Sequence, residues 1–97
     1  TGIEDFSALD TLIINGHGLV NLDFSNNANL SYLNCTDNEL VNLDVSNNTN
    51  LSSLNCAYNE LVSLDVSNST SLDSIYMPHN NVTELDLSSN HQLTYLD

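Results

Sequence analysis

The stretch Leu30-Ser31-Tyr32-Leu33-Asn34-Cys35-Thr36-Asp37-Asn38-Glu39-Leu40 decides the fold, because its pattern returns at Leu51 to Leu61 without slipping a residue. Working outward, Leu9, Leu30, Leu51, Leu72 and Leu93 stand 21 apart. A second column runs Leu12, Leu33, Leu54, Ile75, Leu96, a third Leu19, Leu40, Leu61, Val82, and a fourth Leu22, Leu43, Leu64, Leu85. Asp23, Asp44, Asp65 and Asp86 fill one further column, and Phe24, Val45, Val66 and Leu87 the next, which Ile3 extends backwards. Such self-similarity is the mark of a repeat architecture, in which each unit buries its apolar face only against its neighbours.

Each unit divides into two similar halves: Leu30 to Asn38 resembles Leu40 to Asn48, with apolar residues at relative positions 1, 4 and 6. The last pair alternates, as a strand with one buried face requires. Each half then ends in Asn, Ser, Asp or Thr, whose side chains turn a chain by bonding to its backbone. About five extended and about five turning residues fill a half, which leaves no room for a helix of ordinary length. The expected fold is mainly β: a solenoid of 21-residue coils, with a parallel sheet along one side and short extended segments along the other. Coils stack about 4.8 Å apart, and curvature is low because neither side carries a helix that would splay them. Residues 1–97 form one solenoid: the end of a preceding unit at 1–8, repeats at 9–29, 30–50, 51–71 and 72–92, and a truncated repeat at 93–97. With no initiator Met, the chain reads as a piece of something longer.

The unit Leu-x-x-Leu-x-Cys-x-x-Asn-x-Leu at Leu30 to Leu40, repeated at Leu51 to Leu61, resembles the leucine-rich repeat signature. With the second half, Leu-x-x-Leu-Asp-Val-Ser-Asn, it is similar to the nested 21-residue bacterial subclass called IRREKO repeats. The resemblance covers nearly the whole chain. It implies membership of a large secreted or surface protein of the kind found in Bacteroidetes, and a binding rather than catalytic role. His17 departs from the Asn of the signature, and Met77, Pro78 and Val82 make the fourth unit irregular.

Composition excludes several functions. There is no Lys or Arg among the 97 residues, and the formal net charge is −13. Nothing can neutralise phosphates, so neither nucleic acid nor an anionic membrane surface is an expected partner. A Schiff-base Lys and an arginine finger are also absent. No apolar run approaches the roughly 20 residues that span a bilayer. An Asn-, Ser- and Thr-rich chain without cations suits extracellular or cell-surface salt, which screens self-repulsion.

Residues that could carry chemistry fall into the same columns. Asn38, Asn59 and Asn80 recur where the chain turns after the first strand, a place for an amide ladder satisfying backbone groups; His17 occupies the same column and is expected to substitute for the amide. Cys35 and Cys56 share an inward column with Ile14 and Met77. They read as buried thiols, although adjacent coils bring the α-carbons within disulfide range, and a zinc site would need more ligands. His17, His79 and His91 do not converge, so no Ser/His/Asp set is placed for catalysis. No cofactor is implied. Asp23, Asp44, Asp65 and Asp86 either accept bonds from the turn that follows or form a row of calcium sites, with the ligand count favouring the turn.

Columns that repeat one residue are structural, whereas outward columns that vary are free to specialise. On the first side one varying column reads Thr11, Tyr32, Ser53, Ser74, Tyr95, the next Ile13, Asn34, Asn55, Tyr76, Asp97, and the turn column Gly16, Asp37, Tyr58, His79. Tyr32, Asn34, Asn55, Tyr58, Tyr76, His79 and Tyr95 are the candidate ligand-binding residues, since Tyr joins an apolar ring to a polar tip at low entropy cost. The plainer alternative is scattered surface tyrosines. The expected function is non-enzymatic recognition of a protein or glycan; the alternative is an acidic spacer or adhesin segment, stiffened by calcium.

Overall fold

The computed structural model describes residues 6–97, so Ile3 and most of the leading partial unit lie outside the described residues. Five short strands, β1 (Thr11–Ile13), β2 (Tyr32–Asn34), β3 (Ser53–Asn55), β4 (Ser74–Tyr76) and β5 (Tyr95–Leu96), follow one another in chain order in one parallel sheet. Each pairs with the strand one repeat away, so that Thr11 faces Tyr32, Leu33 faces Leu54 and Asn55 faces Tyr76. Among the described residues there is no helix. The fold is a leucine-rich repeat solenoid.

The opposite, return side is extended but scarcely a sheet; among the described residues its coils meet in a single isolated bridge, between Asp44 and Asp65. Backbone bonds nevertheless tie its coils together: Glu39 N–H donates to Leu19 C=O at 2.9 Å, Glu60 to Leu40 at 2.9 Å and Asn81 to Leu61 at 2.8 Å. With hydrogen-bonded spacing on both sides, neither edge of a coil can open relative to the other.

The inside is a set of apolar columns. Leu30, Leu51 and Leu72 are buried, as are Leu33, Leu54 and Ile75, and Leu40 with Leu61. Phe24, Val45 and Val66 fill the space behind the return side. Full burial of one such side chain contributes roughly 1.5–3 kcal/mol. Leu9, Leu12, Ile14 and Leu22 at one end, and Met77, Val82, Leu85, Leu87 and Leu93 at the other, are only partly buried, because a coil covers them from one direction alone.

Two kinds of corner join the sides. The corner that leads back into the sheet consists of two successive tight turns: Asn48 N–H donates to Val45 C=O at 3.0 Å, then Leu51 N–H to Asn48 C=O at 3.1 Å. The same pair recurs about Asn27, Ser69 and Asn90. These four residues are buried, a polar column that column-by-column reading of the sequence passed over. The Asn48 amide donates to Phe24 C=O at 3.1 Å and Asn27 C=O at 2.8 Å, and Asn90 repeats this on Val66 and Ser69, both at 3.0 Å.

Candidate functional site

The corner that leaves the sheet is built around Asn38, Asn59 and Asn80. The side-chain NH2 of Asn59 donates to the carbonyls of Cys35 (3.0 Å), Cys56 (3.1 Å) and Ala57 (3.2 Å), while its Oδ1 accepts from Leu40 N–H at 3.1 Å. Asn38 and Asn80 make the corresponding bonds, Asn38 receiving Leu19 N–H at 3.0 Å and Asn80 receiving Leu61 N–H at 3.0 Å. One amide thus holds its own coil's corner and the coil before it. His17 does not take this part. It is exposed, and its backbone N–H donates to Asn38 Oδ1 at 3.3 Å, so the amide column starts one coil later than the sequence suggested. An imidazole lacks the paired donor and acceptor geometry of an amide.

The residue before each amide lies in the left-handed region, and so does Gly16, which precedes His17 instead of an amide. Gly16, Asp37, Tyr58 and His79 have φ of 75°, 61°, 54° and 58°. For a residue with a β-carbon this conformation costs about 1–2 kcal/mol, and a bulky residue there is unusual. The strained column carries the most distinctive surface feature: the rings of Tyr58 and His79 stack with centroids 4.4 Å apart and planes 14° from parallel. Tyr58 is 51% exposed.

Beside this corner lies the outer face of the sheet. Tyr76, in β4, is 36% exposed and Tyr95, in β5, 50%. Tyr95 donates its hydroxyl to Asp97 at 3.5 Å. Partial desolvation, the Asp97 carboxylate and neighbouring Tyr76 all hold the Tyr95 hydroxyl above the ordinary tyrosine pKa. The candidate residues therefore divide. Tyr58, Tyr76, His79 and Tyr95 gather at the C-terminal half of the sheet and its corner. Tyr32 lies in β2, half-buried, two strands before Tyr76. Asn34 and Asn55 serve the local turn: Asn34 Oδ1 accepts from Thr36 N–H at 3.1 Å, and Asn55 Oδ1 from Ala57 N–H at 3.2 Å and the Thr36 hydroxyl at 2.7 Å.

The acidic column on the return side is uniform. The Oδ1 atoms of Asp23, Asp44, Asp65 and Asp86 each accept, at 2.9 Å, the backbone N–H two residues on, from Ser25, Ser46, Ser67 and Ser88. Bonds from the serine side chain and backbone hold all four carboxyls below the ordinary aspartate pKa, against a smaller opposing effect of partial desolvation. Among the described residues no three His, Cys, Asp or Glu side chains converge as ligands.

Cys35 and Cys56 are free and buried. Burial pushes both thiols up to about 12, the backbone bond at Cys35 opposing and the Cys35 charge at Cys56 adding. Such thiols are poor nucleophiles. Among the described residues no helix is long and apolar enough to cross a membrane.

No family model matches the chain, and no curated protein does. Among solved structures, it is similar to the functional domain of InlJ from Listeria monocytogenes, described as including a cysteine ladder. The TM-score is 0.95 at 30% identity over 99% of this chain, which spans only 21% of the length of that one. Coil geometry, sheet order and this similarity together make the chain a leucine-rich repeat solenoid of the bacterial type.

Proposed function

We propose that the chain is a non-enzymatic protein-recognition module of a larger secreted or cell-surface bacterial protein, of the IRREKO-type subclass, and that it binds through the outer sheet face and the adjoining corner. The observation that carries this reading is the Tyr58–His79 stack, displayed on a left-handed backbone that a glycine would adopt with less strain. Local strain retained for the sake of a displayed aromatic pair, beside half-exposed Tyr76 and Tyr95, fits the rigid aromatic anchors of protein interfaces. The solenoid supplies what such anchors need, a scaffold whose outward columns vary while its inward columns stay fixed. The return side, by contrast, largely repeats the same residues from coil to coil, with Val20, Val41 and Val62 in one exposed row and Asp23, Asp44, Asp65 and Asp86 in another, and offers little such variation.

Selection of a displayed random-peptide library on the immobilised chain tests the reading. Selected peptides should lose binding to the variant carrying Tyr58→Ala, Tyr76→Ala and Tyr95→Ala. Peptides that bind this variant as well as the parent, or neutral oligosaccharides that bind while no peptide does, would overturn it.

A further inference from the structure

The surface around the tyrosines contains carboxylates and no Lys or Arg to answer them. Asp37 precedes Tyr58 in the left-handed corner column, and Asp97 stands beside Tyr76 and Tyr95, its carboxylate 3.5 Å from the Tyr95 hydroxyl. Asp10 and Asp73 occupy the residue just before β1 and β4, at the opposite margin of the same sheet, and all four aspartates are exposed. Since the chain contains no Lys or Arg, none of these carboxylates is paired within the chain by a lysine or arginine, and no such side chain lies on any of the rings. A guanidinium or ammonium group gains from both: it stacks on a tyrosine face and pairs with the adjacent carboxylate. A neutral glycan could use the rings but gains nothing from the charge, and an acidic ligand is repelled.

We infer that the sheet face, with the Tyr58–His79 corner and the Tyr76–Tyr95–Asp97 cluster as its two anchor points, receives a Lys- and Arg-bearing polypeptide segment. This rests on the protein-recognition reading and names its partner's chemistry. Each anchor takes one basic side chain, the planar guanidinium fitting best because it can stack and donate to a carboxylate at once. The partner approaches by steering in the field of a chain with net charge −13, so its association rate falls with added salt.

General attraction between any polycation and so acidic a chain is the competing explanation, and two charge-matched variants separate them. One carries Asp→Asn at positions 10, 37, 73 and 97, the other at 23, 44, 65 and 86; both lose the same charge, and Asn can keep accepting the turn bond in the second set. With nona-arginine as probe, fluorescence anisotropy should show affinity falling about tenfold or more in the first variant and about threefold or less in the second. The variant lacking Tyr58, Tyr76 and Tyr95 keeps every carboxylate and should lose about as much as the first. Equal loss in the two aspartate variants, or an unchanged affinity without the tyrosines, overturns the inference. The library selection distinguishes its failure from that of the parent reading: tyrosine-dependent peptides that are neutral or acidic leave protein recognition standing and remove the basic partner.

Discussion

The two corners of each coil solve one problem, a buried backbone that must turn, with the same amino acid used differently. At the corner leaving the sheet, Asn59 engages both ends of its amide, donating to three carbonyls and accepting one N–H. At the corner entering it, Asn48 donates to two carbonyls, and its buried Oδ1 has no hydrogen-bond partner. The first corner needs both ends because it contains a left-handed residue, Tyr58 in that coil, whose neighbours cannot complete a regular turn by themselves. The second is already closed by two tight backbone turns. The difference matters for function. An amide that fixes the backbone on both sides leaves the preceding side chain free to vary, and before Asn38, Asn59 and Asn80 that position reads Asp37, Tyr58 and His79. The corner with the more demanding ladder is the one that displays the varied residues.

The largest expected effect tests that ranking. Asn59→Ala strips donors from the Cys35, Cys56 and Ala57 carbonyls and the acceptor from Leu40 N–H, all buried. Each carbonyl keeps a second donor, from the Asn38 amide, the Asn80 amide and Asp37 N–H respectively, and so loses about 1 kcal/mol, whereas the unsatisfied Leu40 N–H costs about 1–3 kcal/mol. With partial relaxation a loss of roughly 3–4 kcal/mol is expected in urea unfolding. Asn48→Ala removes one of two donors from the Phe24 and Asn27 carbonyls, each of which keeps a backbone N–H, and should lose about 2 kcal/mol. If the two variants unfold at the same urea concentration with equal slopes, the corners are not distinct in the way described.

The next effect concerns the left-handed column. Tyr58→Gly and Tyr58→Ala both delete the ring, but only Gly occupies φ near 54° without steric opposition. The Gly variant should therefore be the more stable of the pair by about 1 kcal/mol, the cost of a β-carbon in that region. A more stable Ala variant would mean that the backbone there relaxes once the ring is gone. At the other corner a gain of similar size is open. Ser69 sits where Asn27, Asn48 and Asn90 stand in other coils, and its buried hydroxyl has no partner. Ser69→Asn restores donors toward Val45 and Asn48 and should raise stability by about 1 kcal/mol. No gain would imply that the shorter side chain is accommodated by a compensating shift of the coil.

Much of this was legible in the sequence, and the part that was not has physical causes. A period of 21 residues dictates register, because any slip would carry Leu33 and Leu54 out of the core together. The Asn38, Asn59, Asn80 column was visible because it interrupts an apolar pattern with one repeated residue. The second column escaped notice because Asn27 and Asn48 sit among other Asn, Ser and Thr residues, and Ser69 breaks the identity. The internal likeness of the two halves held the missing signal: Asn48 follows Leu40 at the same distance as Asn38 follows Leu30. Sequence placed the tyrosines on one side of the molecule but could not pair them. Stacking of Tyr58 on His79 depends on a positive φ at two non-glycine residues, which no residue type announces. Nor could it foresee that Asn34 and Asn55 spend their carbonyls on the turn.

The smallest effect lies on the return side, where the Asp column supports turns that carry no left-handed residue. The serine bonds lower the folded-state pKa of Asp65 beneath the ordinary aspartate value of 3.8, against partial desolvation and the repulsion of Asp86. A lowered folded pKa means that the stabilisation is fully present above the unfolded value and lost as pH falls through the folded one. Asp65→Asn keeps an acceptor for Ser67 N–H but carries no charge, so it titrates with neither state. At neutral pH the variant loses the charge-assisted part of that bond and gains relief from like-charged neighbours, two opposing effects on an exposed group. The pH dependence isolates the first. Parent stability should fall relative to the variant as pH drops below about 4, and the difference should be largest in high salt at neutral pH, where repulsion is screened and the short turn bond is not. A difference that stays constant from neutral pH to pH about 2 would show that the Asp65 carboxylate contributes nothing to its turn beyond what an amide does.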